Sequence, residues 1–205
     1  MSKKAIVAFL LVAPLSILSA QLNVGAKGGV NIASWIAPTN PPLPTKWSSI
    51  VRATAGAFVN YEFGILGVQL ESNLIQKGLH GSYYTVVADL TINMLEFPLL
   101  LRVNVPLEPL KPYLLAGVAY GIVLSARSQG TDSHSTFDDD YKEYLRDDEV
   151  SALATIGAEY SITQQLGLVL QVSYSVGLRT IEASTSTKPR NRGIQIQAGV
   201  VTSIL

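Results

Sequence analysis

The sequence predicts an all-β chain folded as an eight-stranded antiparallel up-and-down β-barrel, and three observations carry that prediction. Apolar and polar residues alternate with a period of two in eight successive segments between Leu22 and Leu205. Connections between these segments alternate short and long. The 205 residues are 48% hydrophobic and only 15% charged, so there is little charge with which to cover a soluble domain.

Taken in order, the first segment (22–33) alternates among many glycines. The second sets Ala53, Ala55, Ala57, Val59, Tyr61 and Phe63 against Arg52, Thr54, Gly56, Asn60 and Glu62. The third (66–76), fifth (112–127) and eighth (193–205) follow suit. In the sixth, Val150, Ala152, Ala154, Ile156, Ala158 and Tyr160 oppose Ser151, Thr155, Gly157, Glu159 and Ser161. The seventh is nearly unbroken, with Leu166, Leu168, Leu170, Val172, Tyr174, Val176 and Leu178 on one face. The fourth departs: Val86, Ala88, Leu90 and Ile92 occupy even positions, whereas Leu95, Phe97, Leu99, Leu101 and Val103 occupy odd ones. A one-residue slip turns a strand over, so a β-bulge is predicted at 93–95. The links 63–66, 106–111 and 162–165 are tight; 34–49, 128–148 and 181–191 are long, and 77–83 is intermediate. Such asymmetry is that of transmembrane barrels, with short periplasmic turns and longer outside loops.

Alternation alone leaves two readings, a membrane barrel and a soluble lipocalin-like binding protein. The weaker face decides between them, being mostly Gly, Ser, Thr, Asn and Gln with isolated charges where a water-facing exterior would carry many Lys and Glu. These suit a narrow, filled lumen. An interlocking lumenal network is therefore expected from Lys27, Arg52, Lys77, Arg102 and Arg179 against Glu62, Glu71, Asp89, Glu96 and Glu159, with the signs in balance and no open pore. Tyr61, Phe63, Phe97 and Tyr160 are placed for a periplasmic aromatic girdle. The expected location is the bacterial outer membrane, where a closed barrel satisfies every backbone polar group.

At the N-terminus, Lys3 and Lys4 precede the apolar run 5–18 and then Ser19, Ala20 and Gln21, the order of a secretory signal cleaved after Ala20. The expected organisation is a signal peptide, 1–20, and one barrel domain, 21–205. Without Lys3 and Lys4 the chain carries 13 basic and 15 acidic residues, which suggests no nucleic-acid partner. Cysteine is absent, which excludes disulfides and a lipidated cysteine.

No catalytic, metal or cofactor residue is assigned. His80 and His134, with Ser82, Ser133 and Ser135 nearby, offer only a weak case for a lipid-modifying enzyme, since adjacent side chains of an extended loop point apart. The acidic stretch 131–149 lacks the ligand spacing of a calcium loop. A solute channel is disfavoured by the narrow bore. Trp35 and Trp47, in a Pro-rich first loop with Pro38, Pro41, Pro42 and Pro44, are the candidate surface contacts, or else interface anchors. Expected partners are membrane lipids, the outer-membrane assembly machinery and a protein met through the outside loops, with the chain itself a monomer.

Several short motifs also resemble a known family. Val24-Gly25-Ala26-Lys27-Gly28-Gly29-Val30-Asn31, Gln69-Leu70-Glu71, Gln76-Lys77-Gly78, 95–102 (Leu-Glu-Phe-Pro-Leu-Leu-Leu-Arg), 111–117 (Lys-Pro-Tyr-Leu-Leu-Ala-Gly) and Tyr174-Ser175-Val176-Gly177-Leu178 are similar to the PorT-like outer-membrane barrels of the Bacteroides group. The resemblance covers nearly the whole chain after the signal and implies a barrel of the small OmpA and OmpX size, with a link to protein secretion at the cell surface. Many such barrels end in an aromatic residue that the assembly machinery reads. This chain ends in Ile204-Leu205, which implies weaker recognition or tolerance of an aliphatic terminus.

Overall fold

A computed structural model describes residues 20–36, 46–83, 86–132, 135–181 and 189–204. All but the last residue of the expected signal peptide lies outside them, as do Ser133, His134 and Pro38, Pro41, Pro42 and Pro44. The strands among the described residues are β1 (Ala20–Ile36), β2 (Lys46–Ser48), β3 (Ile50–Phe63), β4 (Leu66–Tyr83), β5 (Val86–Asn104), β6 (Leu110–Thr131), β7 (Thr136–Asp140), β8 (Asp148–Ser161), β9 (Leu166–Gly177) and β10 (Arg190–Ser203), with a 3-10 turn, Lys142–Tyr144, before β8.

Eight of these close a ring. β1, β3, β4, β5, β6, β8, β9 and β10 pair antiparallel with their neighbours in sequence, and β1 pairs with β10 to shut it. Closure leaves the barrel strands no free edge. β2 continues the line of β3 against β4, and β7 doubles back on the end of β6. The tightest connection is Gly64-Ile65, where Gly64 has φ +69°, a left-handed conformation that two-residue hairpins require and that glycine adopts without steric cost.

Most of the wall is greasy outside and polar inside. Leu101, Ile156 and Leu170 are 68%, 64% and 60% exposed, a degree of exposure that repeated around a ring is stable only against hydrocarbon. On β5 the apolar outward run Leu95–Val103 covers roughly 26 Å of strand, or about 20 Å along the axis at a ~40° tilt. That matches the outward apolar band, about 25 Å tall, of outer-membrane barrels.

Above this band the amphipathicity reverses. Leu90, Ile92 and Met94 of β5 point inward with Ile75 and Leu79 of β4, Val123 and Ala126 of β6, and Trp35 of β1. Leu145 and Ile181 from the following loops cap this cluster, with Tyr141 packed against it. The outward residues at the same level are Gln76 and His80, Asp89, Thr91 and Asn93, and Arg127 and Gln129. This part of the sheet stands in water and folds as a soluble β-protein does.

Two expectations are corrected here. Inward positions on β5 run unbroken from Leu90 to Arg102, and its register with β4 is the same on both sides of the unpaired Phe97 and Pro98, so β5 does not turn over. Its apolar residues change sides because the solvent around it changes. A register shift does lie between Asn93 and Met94, but Leu124 of β6 is the extra residue, and it is β6 whose inward parity changes, from Val123 to Ala126. Likewise, much of 77–83 and 128–148, expected as loop, is strand in β4, β6 and β7; apart from Lys77, which turns inward, its polar residues face water from a sheet.

Candidate functional site

Inside the membrane-spanning part, the lumen is filled by three charged layers. At the short-turn end the Arg102 guanidinium lies over the Tyr113 ring, 3.9 Å from its centroid. It pairs with Glu159 at 3.1 Å and Glu62 at 3.4 Å, and donates to Gln69 Oε1 and Asn104 Oδ1. Gly157 makes this stack feasible, because a Cβ there would come within 2.4 Å of the Tyr113 ring.

In the middle layer Lys27 Nζ meets Glu71 at 2.7 Å and lies 5.7 Å over the Phe58 ring. Gln69 and Asn73 donate to the two oxygens of Glu71 at 2.6 and 2.8 Å. Across the bore, Tyr113 donates to Gln171, Gln171 to Gln197, and Gln197 to Thr54, while Thr155 donates to Ser173. The upper layer holds Lys77 between Glu96 at 2.6 Å and Glu149 at 3.1 Å, each side chain at most 4% exposed. Asn191 donates to Glu149 at 2.9 Å. Above that layer begins the apolar cluster.

In this medium a charge is tolerated only when paired and hydrogen-bonded, and unpairing one costs about 3–5 kcal/mol. The layers therefore fix the strands to one another through the interior and occupy the bore. At the short-turn mouth a cavity of about 390 Å³, lined by Glu62, Arg102, Lys111 and Glu159 among others, reaches no deeper than Arg102 and Val201.

Of the ten residues expected in the network, Lys27, Glu62, Glu71, Lys77, Glu96, Arg102 and Glu159 meet inside. Arg52, Asp89 and Arg179 do not. Arg52 pairs with Asp89 at 3.3 Å and bonds Thr91, and His80 Nδ1 lies 2.6 Å from Asp89, all above the lipid band. Arg179, exposed, pairs with the half-buried Asp148 at 3.0 Å. Charge balance also gives way, since five carboxylates share three cations within the network.

Glu149 is the residue the sequence reading missed. It ends the acidic stretch 131–149, yet it continues the odd-numbered polar parity of Ser151, Thr155, Gly157 and Glu159, and that signal places it inside. Other acids of the stretch are dispersed, with Asp138 paired to Arg127 and bonded by Gln129 and Asp148 to Arg179. Trp35 is corrected too: it lies in β1, not a loop, and is buried at 8% exposure in the apolar cluster. Trp47 falls in β2 opposite Gly81.

The fold recurs among solved outer-membrane proteins. Neisserial surface protein A is 14% identical, with 90% of this chain and 98% of that one covered and a TM-score of 0.52. OprG of Pseudomonas aeruginosa is 13% identical over 90% and 95%, with a TM-score of 0.56. A major outer membrane protein of Thermus thermophilus is 12% identical over 91% and 100%, with a TM-score of 0.52. At such identities the likeness is one of fold alone. No curated protein matches the chain. The outer membrane protein beta-barrel domain profile matches residues 16–182. The chain thus belongs to the outer membrane protein beta-barrel domain family and resides in the bacterial outer membrane.

Proposed function

We propose that this protein is a non-conducting, non-enzymatic component of the outer membrane that presents a rigid extramembrane sheet and its loops to partners outside the cell. The observation that carries this reading is the filled lumen: three layers of buried ion pairs lie beneath an apolar plug of Trp35, Leu145 and Ile181. Transport would require those pairs to be broken, at several kcal/mol each, whereas display only requires that they hold. Rigid scaffolds that carry loops are the usual setting for recognition. Trp47 remains a proposed contact of the first loop region; Trp35, packed inward, leaves that role. A lipid-modifying activity is not favoured: Asp89 could orient His80 as a base, but among the described residues no hydroxyl nucleophile is bonded to His80.

The link to secretion that the PorT-like resemblance implies belongs to the same proposal, as one class of partner. Planar-bilayer recording tests the first part: the purified chain is expected to give no stable open currents, and regular conductance steps would overturn the reading. Crosslinking in intact cells tests the second, with a specific protein partner expected at the loops and bare lipid contact alone counting against it.

A further inference from the structure

Between β3 and β4 the ladder stops at Thr54 opposite Ile75 and resumes only in β2, where Ser48 faces His80. Side chains serve the backbone across this interval. The Ala53 N–H donates to Gln76 Oε1 at 3.3 Å, and the Gln76 carbonyl accepts from Asn31 Nδ2 at 2.8 Å. One strand further on, the β5–β6 register shifts at the same level. Beside these irregularities the wall contains a pocket of about 310 Å³, at the lower end of the ~300–1,000 Å³ range of ligand sites.

Its walls are Ala55, Leu74 and Leu124, which face outward and continue the lipid-facing band. Its floor is Ile75 and Met94, which belong to the apolar cluster inside and are 1% and 0% exposed. Its upper rim is polar, since Gln76 donates to Asn93 at 2.9 Å and Asn93 to Ser125 at 2.8 Å, with the Arg52–Asp89 pair just above. We propose that this pocket is a lipid site, taking one acyl chain of an outer-leaflet lipid whose headgroup rests on the amide rim.

The chemistry fits an amphiphile that crosses from hydrocarbon to water at this height. Hydrocarbon is the solvent at the mouth of the pocket, and a chain entering it gives up no hydrogen bond while gaining contact with Leu74 and Leu124, which are 56% and 48% exposed. Gln76 and Asn31 serve two of the backbone groups beside it, the Ala53 N–H and the Gln76 carbonyl, which lowers the cost of the gap between β3 and β4 next to lipid. Asp89 shares Arg52, so the rim offers hydrogen bonds more than free positive charge. The site is independent of the display role proposed above.

The test uses the full chain folded in vesicles of phosphatidylethanolamine and phosphatidylglycerol that contain a phospholipid with a photoreactive acyl chain. Labelling is expected to concentrate on β3 to β6 around Leu74 and Leu124. Filling the pocket with Ala55→Phe, or separately Leu124→Trp, should cut that labelling about tenfold, equivalent to ~1.4 kcal/mol, whereas Ala158→Phe on the lipid face of β8 should leave it unchanged. Even labelling around the wild-type barrel, retention of the signal in folded Ala55→Phe and Leu124→Trp, or crosslinks joining two copies through Leu74 would overturn the proposal. Should either variant fail to fold, the wild-type labelling map decides by itself.

Discussion

Lys77→Met is the most direct perturbation of the lumen, because methionine nearly keeps the length of the side chain and removes only its charge and donors. Lys77 stands between two carboxylates, at 2.6 Å from Glu96 and 3.1 Å from Glu149, and all three side chains are at most 4% exposed. Loss of the cation leaves two buried negative charges together, so the expected cost is about 3–5 kcal/mol, the range for breaking a buried pair from one side. The two acids should not suffer equally. Glu149 keeps its bond from Asn191, whereas Lys77 is the ion partner of Glu96. Adding Glu96→Gln to Lys77→Met should therefore recover more than half of the loss, and Glu149→Gln less. Arg179→Met removes a pair of similar length, 3.0 Å from Asp148, but in the open, and should cost about 0–1 kcal/mol. Urea unfolding in vesicles, followed by tryptophan fluorescence and gel mobility, measures all four. If Lys77→Met costs no more than Arg179→Met, or if Glu96→Gln fails to relieve it, the triad does not hold the lumen together.

Two further outcomes follow from the change of solvent along β5 and from the plug. Leu99→Arg, in the lipid band, should cost about 2–4 kcal/mol in the same unfolding assay, while Val87→Arg, outward on the same strand but above the band, should stay within about 0.5 kcal/mol; equal costs would contradict the assigned boundary. Leu145→Ala opens a void in the apolar cluster and should cost about 2–5 kcal/mol. It should also speed hydrogen exchange at Leu145 and Arg146, whose N–H groups bond the Lys142 and Ile181 carbonyls, and unchanged exchange there would mean that the loop is not held by its core contacts.

Much of the barrel was legible because period-two alternation maps directly onto inward and outward faces. β9 is the clearest case: every even position from Leu166 to Tyr174 faces out and every odd one from Gly167 to Gly177 faces in. Seven of the ten charges assigned to the lumen follow from the same parity. What parity could not give is the height of a residue along the axis. Arg52, Asp89 and Arg179 sit above the lipid, where charges need no burial. Inward apolar residues such as Phe58, Tyr113 and Leu153 interrupt the polar face and carry no polar signal of their own, although Tyr113 is what holds Arg102. Glu149 was hidden by its acidic neighbours, because a run of acids reads as loop until strand parity is carried back through it.

The height that parity omits is nonetheless written in the sequence, on three neighbouring strands at once. Leu74 faces Leu95, and Leu95 faces Ile122, a rung that is apolar on its outward side. One outward rung higher stand Gln76, Asn93 and Ser125, joined in a row by two hydrogen bonds. On the far wall Ile194 gives way in the same manner to Arg192, which donates to Ser34 at 2.8 Å. A polar row of this kind is stable at the edge of hydrocarbon, where its amides satisfy one another below and water reaches them from above. The backbone irregularities fall on that same rung: the β6 register shift at Leu124 and the interrupted β3–β4 ladder above Thr54. Deeper in the bilayer the β4–β5 ladder lapses opposite Phe97 and Pro98 with no change of register, and a longer interruption would strand N–H and C=O groups without partners, so the rung at Gln76, Asn93 and Ser125 marks where the sheet changes from a lipid-facing barrel into a water-facing platform.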